Sequence, residues 1–423
     1  MSTSALYWER RNNPVWYITG LALRPLHLAL AFPSIIYLAT LTIFLFRPPD
    51  LFCLYVDRVA FGILVFVVGL RTFALHEKLP FYFRISFPML GLIMLAAFRA
   101  LREPFDAQVW SIIASKFIVP FVLFHLASRI FRTSRERSHF ETFVVVVLAY
   151  LVFIAIAFLV GARSLIVPRF ILDESLGFHP ERARGPFLQA VANGVSLNLL
   201  GILAFALPFR RKIANILWLA LPVAILATMT RAIWISFGLS TLALGFRLSE
   251  RRLRAICVAL LVVGLLAGLA IGFSDHSLKN ALWDRTEERG PVEARMAVYS
   301  AGWDMFLERP FTGWPAGMMY SELARRMDGY HLRTFYVHNT YLALLVEFGL
   351  PGLILYLYLF RQLFRIGSAR TDDPDSMRIL RRAWPILLSV YLFNAFFVDM
   401  AYQFVIGLLF TVAGMLCAPK AEA

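Results

Sequence analysis

Of the 423 residues, 59% are hydrophobic and 15% aromatic, and only 16% are charged, against about 25% in a soluble domain. Phenylalanine alone occurs 39 times, more apolar surface than a soluble core of this size can cover, which excludes a soluble globular enzyme, a disordered chain and a disulfide scaffold. The net charge of +15 is read as lysine and arginine collected in loops beside anionic lipid, with no nucleic-acid partner.

A bilayer-spanning helix needs about 20 mostly apolar residues. The runs 26–46, 56–75, 83–101, 109–129, 140–162, 187–208, 213–230, 231–247, 254–273, 338–360, 383–399 and 401–417 meet that need. The fold class is therefore all-α: one integral membrane domain over 1–423 with about twelve transmembrane helices. The seventh and eighth runs meet at Met229-Thr230-Arg231, and the last two turn at Asp399-Met400-Ala401. The first 25 residues are polar and aromatic, and the first apolar run is long enough to stay as a span. No cleavable signal peptide is read there.

With twelve spans the basic clusters all fall on one side: Arg129/Arg132/Arg135/Arg137, Arg210/Arg211/Lys212, Arg247/Arg251/Arg252/Arg254 and Arg361/Arg365/Arg370/Arg378/Arg381/Arg382. That side is the cytoplasm, and it holds both termini. The opposite face carries two long segments, 163–186 and 274–337. In the second, Met296, Tyr299, Trp303 and Phe306 recur at helical spacing and predict a helix over 293–308. Thr312-Gly313-Trp314-Pro315 ends it, and a second short helix is expected over 318–327. The loop reads as a helical cap on the membrane surface.

No phosphate loop or HExxH occurs, and no outer acidic pair offers metal-ligand spacing. Cys53, Cys257 and Cys417 form no cluster. Neither metal nor cofactor is expected. On the outer face, His338 stands where the large loop becomes the tenth span, with Asn339 or Thr340 as N-cap. A helix N-terminus suits a phosphate and disfavours imidazolium, keeping a histidine able to accept a proton. The alternative is a histidine that only caps. Arg184, Arg231 and Arg295 lie on the same side and suit a polyanion, since guanidinium forks bind phosphate oxygens. Their alternative is snorkelling to headgroups, the reading preferred for Arg163, Arg169 and Arg182. Lys116 lies inside the fourth span. Glu347 lies in the tenth, either as an anchor for a neighbouring helix or as a relay to His338.

His338-Asn339-Thr340-Tyr341-Leu342 followed by Glu347-Phe348-Gly349-Leu350-Pro351-Gly352 resembles the signature of the bacterial O-antigen ligase and polymerase family. Arg295, Trp303 and Phe306 leading to Arg309-Pro310-Phe311-Thr312-Gly313 are similar to that family's preceding helix and turn. Arg184-Gly185-Pro186-Phe187 before Asn193-Gly194, and Thr230-Arg231, also resemble family elements, although Ala192 stands where the family commonly has proline. The likeness covers about residues 184–352.

The resemblance, closest to the lipopolysaccharide O-antigen ligases, implies an inverting, metal-independent glycosyltransferase at the periplasmic face of a bacterial inner membrane. It implies a donor glycan on undecaprenyl pyrophosphate and a lipid A–core acceptor. Arg184, Arg231 and Arg295 would hold the pyrophosphate and His338 would be the base, with Asn339 and Glu347 supporting. An O-antigen polymerase or a protein O-oligosaccharyltransferase of the same family is the alternative. From another class, a lipid-linked oligosaccharide flippase is the alternative, although no internal repeat of the transporter kind is seen.

Overall fold

The computed structural model describes residues 31–46, 55–76, 80–207, 211–247, 258, 290–327, 336–367 and 375–418. Among them there are helices and turns and no strand. The chain runs α1 (Pro33–Leu45), α2 (Val56–Ala74), α3 (Phe83–Ala100), α4 (Ala107–Ile130), α5 (Ser134–Leu159), α6 (Ala190–Ala206), α7 (Arg211–Ala227) and α8 (Arg231–Arg247). It continues as α9 (Gly290–Glu308), α10 (Met319–Arg326), α11 (Thr340–Ile366), α12 (Asp375–Asn394) and α13 (Gln403–Cys417).

A helix coincides with each expected span except 254–273, which apart from Val258 lies outside the described residues, as do the N-terminal 25 residues and part of the large loop. By length and apolarity α3, α4, α5 and α11 can cross a membrane, while α1, α6, α13 and the apolar parts of α7 and α8 are shorter. The run expected over 383–399 begins earlier, at Asp375, and stops at Asn394, leaving 395–402 as irregular chain.

Local chemistry sets several boundaries. The Asp106 carboxylate accepts from the Gln108 N–H at 2.7 Å and starts α4. Thr133 and Glu136 exchange side-chain and backbone hydrogen bonds, a capping box that starts α5 at the end of a basic loop. Inside α4 the residues Ala114–Ile118 widen into a π turn with Lys116 at its centre.

The core is one apolar cluster in which α13 packs on α4, α7 on α5, α11 on α3, and α12 on both α6 and α8. Gly414 lets α13 approach α4 until a β-carbon there would strike the Phe124 carbonyl, the small-residue contact by which membrane helices close. A separate cluster binds the cap: Val298 and Met305 of α9, Trp314, and Met319 and Leu323 of α10 pack on Leu342, Ala343 and Val346 of α11.

The two expected cap helices are present, and of the four residues at helical spacing Phe306 is buried and Tyr299 half-buried against the cap cluster, while the other two lie on the open side. Val298, Ala301 and Met305 point inward, whereas Met296 and Trp303 are exposed. Helix α9 is apolar on two faces, and helical periodicity alone does not say which of them meets protein.

The long α11 is broken at Gly349, whose φ of 65° and ψ of −164° only glycine adopts readily. The break frees the Val346 carbonyl and the Leu350 N–H from each other. The Trp314 N–H donates to the first, and the second donates to the Pro310 carbonyl, both at 2.8 Å. The turn 309–315 is thereby seated in the gap, and it pairs the two backbone groups that the break sets free.

Candidate functional site

Two groups of functional side chains are built, joined through α12. The first surrounds the segment 163–186. That segment carries short 3₁₀ turns at Arg163–Leu165 and Arg169–Leu172 and buries Ile166, Ile171 and Ala183. At its end Arg184 is wholly enclosed, with 0% of its surface exposed. Its guanidinium donates to the Ile171 carbonyl at 2.9 Å and to the carbonyls of Leu176 and Asp173. The sequence reading made Arg184 a phosphate ligand facing outward. In the structure its fork is taken up by backbone carbonyls, because the 3₁₀ turns wrap around it instead of leaving it at the surface.

The Asn193 side-chain N–H donates to the Ala183 carbonyl at 2.8 Å, and the Ala183 N–H reaches the Ala227 carbonyl at 3.1 Å. This second bond ties the loop to the α7–α8 turn. There Met229 takes a left-handed conformation, φ 47°, and the Thr230 hydroxyl donates to the Thr228 carbonyl at 2.9 Å. Arg231, the first residue of α8, is exposed at that turn. Arg184 and Arg231 therefore share a neighbourhood, one inside it and one on its surface.

The second group surrounds His338. Asn339 is the N-cap of α11, its side-chain oxygen accepting from the N–H groups of Tyr341 and Leu342 at 2.9 and 3.1 Å. His338, one residue earlier, is left-handed with φ 50° and half-buried. Its carbonyl accepts from the Tyr299 hydroxyl at 3.2 Å, which also lies 3.3 Å from the Phe396 carbonyl.

The proton affinity of the imidazole is lowered, chiefly by burial and next by the positive charge of Arg295 on α9, while Asp399 opposes both. The sequence reading expected a neutral ring for a different reason, the helix end. Burial also raises the proton affinity of the neighbouring Tyr299 phenolate.

Beneath this turn lies a charged cluster. Lys116 Nζ is 2.9 Å from Asp399 Oδ2 and 3.9 Å from Glu347 Oε1. Side-chain exposure is 11% for Lys116, 18% for Asp399 and 19% for Glu347. A cavity of about 60 Å³ borders all three, together with Tyr356 and Tyr391, and a second of about 50 Å³ borders Lys116, Glu347, Arg99 and Tyr320. Of the two roles expected for Glu347, anchor or relay, the 3.9 Å contact with Lys116 of α4 fits an anchor between helices. Asp399 was noticed in the sequence only as a turn. The signal that marks it is a carboxylate in the apolar stretch Phe397-Val398-Asp399-Met400, opposite a lysine in another apolar stretch.

Compared with known families, residues 215–357 match the family model described as O-antigen ligase. The match takes in Arg231, Arg295, His338, Asn339 and Glu347, and it leaves out Arg184 and α1 to α6. No curated protein matches the chain.

Proposed function

We infer, from the match of residues 215–357 to the O-antigen ligase family model, that the protein is an inverting glycosyltransferase. It takes a polysaccharide from undecaprenyl pyrophosphate and passes it to lipid A–core, on the periplasmic face of the inner membrane. The observation that carries the reading is the His338 turn: a half-buried histidine beside Arg295, at a capped helix N-terminus under a helical cap.

His338 accepts the proton of the acceptor hydroxyl as that oxygen attacks the anomeric carbon. The glycosidic bond to the pyrophosphate breaks on the opposite side, so the configuration inverts. General-base assistance of this kind contributes typically 10²–10⁴-fold. Arg231 and Arg295 bind the pyrophosphate and stabilise its charge as it leaves, so no metal is required. Arg184 acts one step removed, holding the loop that carries the Arg231 turn. The twelve-span arrangement with cytoplasmic termini belongs to this reading, since it places 163–186 and the α9–α10 cap on the side where the lipid-linked donor is exposed.

The test uses purified protein in detergent with a lipid-pyrophosphate glycan and three acceptors in separate reactions. Transfer to lipid A–core supports the ligase. Chain extension of the lipid-linked glycan alone shifts the assignment to a polymerase, and transfer to a protein alone to an O-oligosaccharyltransferase. No transfer in any reaction, together with movement of the lipid-linked glycan across proteoliposomes, replaces the enzyme with a flippase.

A further inference from the structure

We propose that Lys116 is a positioning residue for His338: its ion pair with Asp399 locks the irregular segment 395–400, from which the His338 turn is hung, to the π turn of α4. The proposal rests on the transfer reading above, with His338 as base.

The hanging is explicit. The Thr340 N–H donates to the Ala395 carbonyl at 2.8 Å, and the Thr340 hydroxyl donates to the Val398 carbonyl at 2.9 Å. That hydroxyl also accepts from the Met400 N–H at 2.9 Å. On the other side the Tyr299 hydroxyl bridges the carbonyls of His338 and Phe396. Segment 395–400 is neither helix nor strand, so its place depends on what its side chains grip. Asp399 lies between the two residues whose backbone holds Thr340, and it grips Lys116 at 2.9 Å.

Packing does not fix this contact. Lys116 and Glu347 border both cavities, so there is open space on either side of the ammonium. With room to move, the side chains are held by charge. A buried ion pair is an expensive way to gain stability, and a well-packed apolar pair often does as well or better. Its use here fits a demand for geometry. The π turn adds to this, since the extra residue turns Lys116 relative to a regular helix, and such insertions are frequent at functional sites.

The clamp also has an electrical signature. The charged groups facing His338 are Arg295 from α9 and Asp399 from segment 395–400, with the phenol of Tyr299 beside them and the ring of Tyr336 at 6.4 Å. Facing Lys116 are Asp399, Glu347 and Tyr320, and Glu347 is in turn faced by Arg99. Removing Lys116 leaves the Asp399 charge less neutralised and stabilises imidazolium. Removing the Asp399 charge does the reverse.

The experiment measures kcat and KM against pH for purified wild type, Lys116→Met, Lys116→Arg, Asp399→Asn and the double variant Lys116→Met/Asp399→Asn, with thermal unfolding of each. Lys116→Met is expected to lose roughly tenfold to a hundredfold in kcat, as for a misplaced catalytic group, with donor KM changed less than about twofold. Its acid limb moves to higher pH, whereas that of Asp399→Asn moves to lower pH. Lys116→Arg recovers most of the rate. The double variant removes both charges of the close pair and leaves Glu347 facing Arg99; it folds like wild type yet stays slow, and it is read in place of Lys116→Met if that variant does not accumulate.

Wild-type kcat in the folded double variant overturns the clamp, as does an acid limb that moves the same way, or not at all, in both single variants. A wild-type protein that transfers to no acceptor overturns instead the reading on which the clamp rests.

Discussion

Arg184 separates a ligand role from a structural one. Replacing it by methionine removes the guanidinium from the carbonyls of Ile171, Asp173 and Leu176, of which Asp173 keeps the Leu176 N–H at 3.2 Å. A hydrogen bond to a charged group contributes about 1.5–3 kcal/mol, so three of them set an upper bound of roughly 5–9 kcal/mol. Water entering the opened loop recovers part of this, leaving a loss of roughly 3–5 kcal/mol, comparable to the low end of a whole domain's stability.

The loss falls on 163–186, so local opening is expected before global unfolding. Hydrogen exchange followed by mass spectrometry reads it at the N–H of Ala183, bonded to Ala227, and of Phe178, bonded to Leu188. At about 1.4 kcal/mol per factor of ten, Arg184→Met should speed exchange there by at least about a hundredfold. Arg184→Lys should fall between, because a single ammonium cannot reach three carbonyls as a planar fork does. If the loop stays protected in Arg184→Met while donor binding is lost, the residue acts on the ligand and the structural argument fails.

The rate with free enzyme should rise with pH through an apparent pKa below the ordinary histidine value of about 6.5, because burial and Arg295 both disfavour imidazolium. Arg295→Ala removes one of these causes, so the acid limb should move to higher pH, and an unmoved limb would separate Arg295 from the site. His338→Gln should abolish transfer while donor binding survives, and substantial residual transfer would make His338 a positioning group. Gly349→Ala forces a side chain into a glycine-only conformation, costing about 1–3 kcal/mol, and drives a β-carbon into Pro310 and Phe311. A lower unfolding temperature is the expected result, and an unchanged one would mean that the cap is seated elsewhere. Cysteines at 318 and 175 should react with an impermeant reagent from the periplasmic side, and cysteines at 135 and 365 should not. The reverse pattern inverts the topology.

Much of the fold was legible because a helix in an apolar setting advertises itself by length and composition alone. The cap was legible for a related reason, helical spacing bounded by Pro310 and Gly313. What periodicity could not supply was the burying face of α9. That face is chosen by α11, a partner distant in sequence. The same limit explains Arg184. A guanidinium near Gly185-Pro186 looks exposed until the 3₁₀ turns at 163–172 are known to fold back over it, and those turns depend on tertiary contacts such as Ile166 and Ile171 against α5. His338, Asn339 and Glu347 were legible because each lies at or near an end or break of a helix. Asp399 escaped notice because the last two apolar runs were divided there, and its partner Lys116 is 283 residues away.

The break in α11 connects these separate observations. Helix α9 ends at Glu308 and leads directly into the turn 309–315, which the freed groups of Val346 and Leu350 hold in place. The same helix is held further along by the Tyr299 hydroxyl against the His338 carbonyl. Two points on a rigid helix fix its position, and Arg295 lies one turn from the second of them. The spacing between Arg295 and His338 is therefore set by backbone hydrogen bonding at Gly349, one residue beyond Phe348 and two beyond Glu347. This gives a physical reason for the Arg309–Gly313 and Glu347–Gly352 stretches to occur together. One supplies the polar groups that the other leaves open, and a helix interrupted at membrane depth is stable only with such a partner.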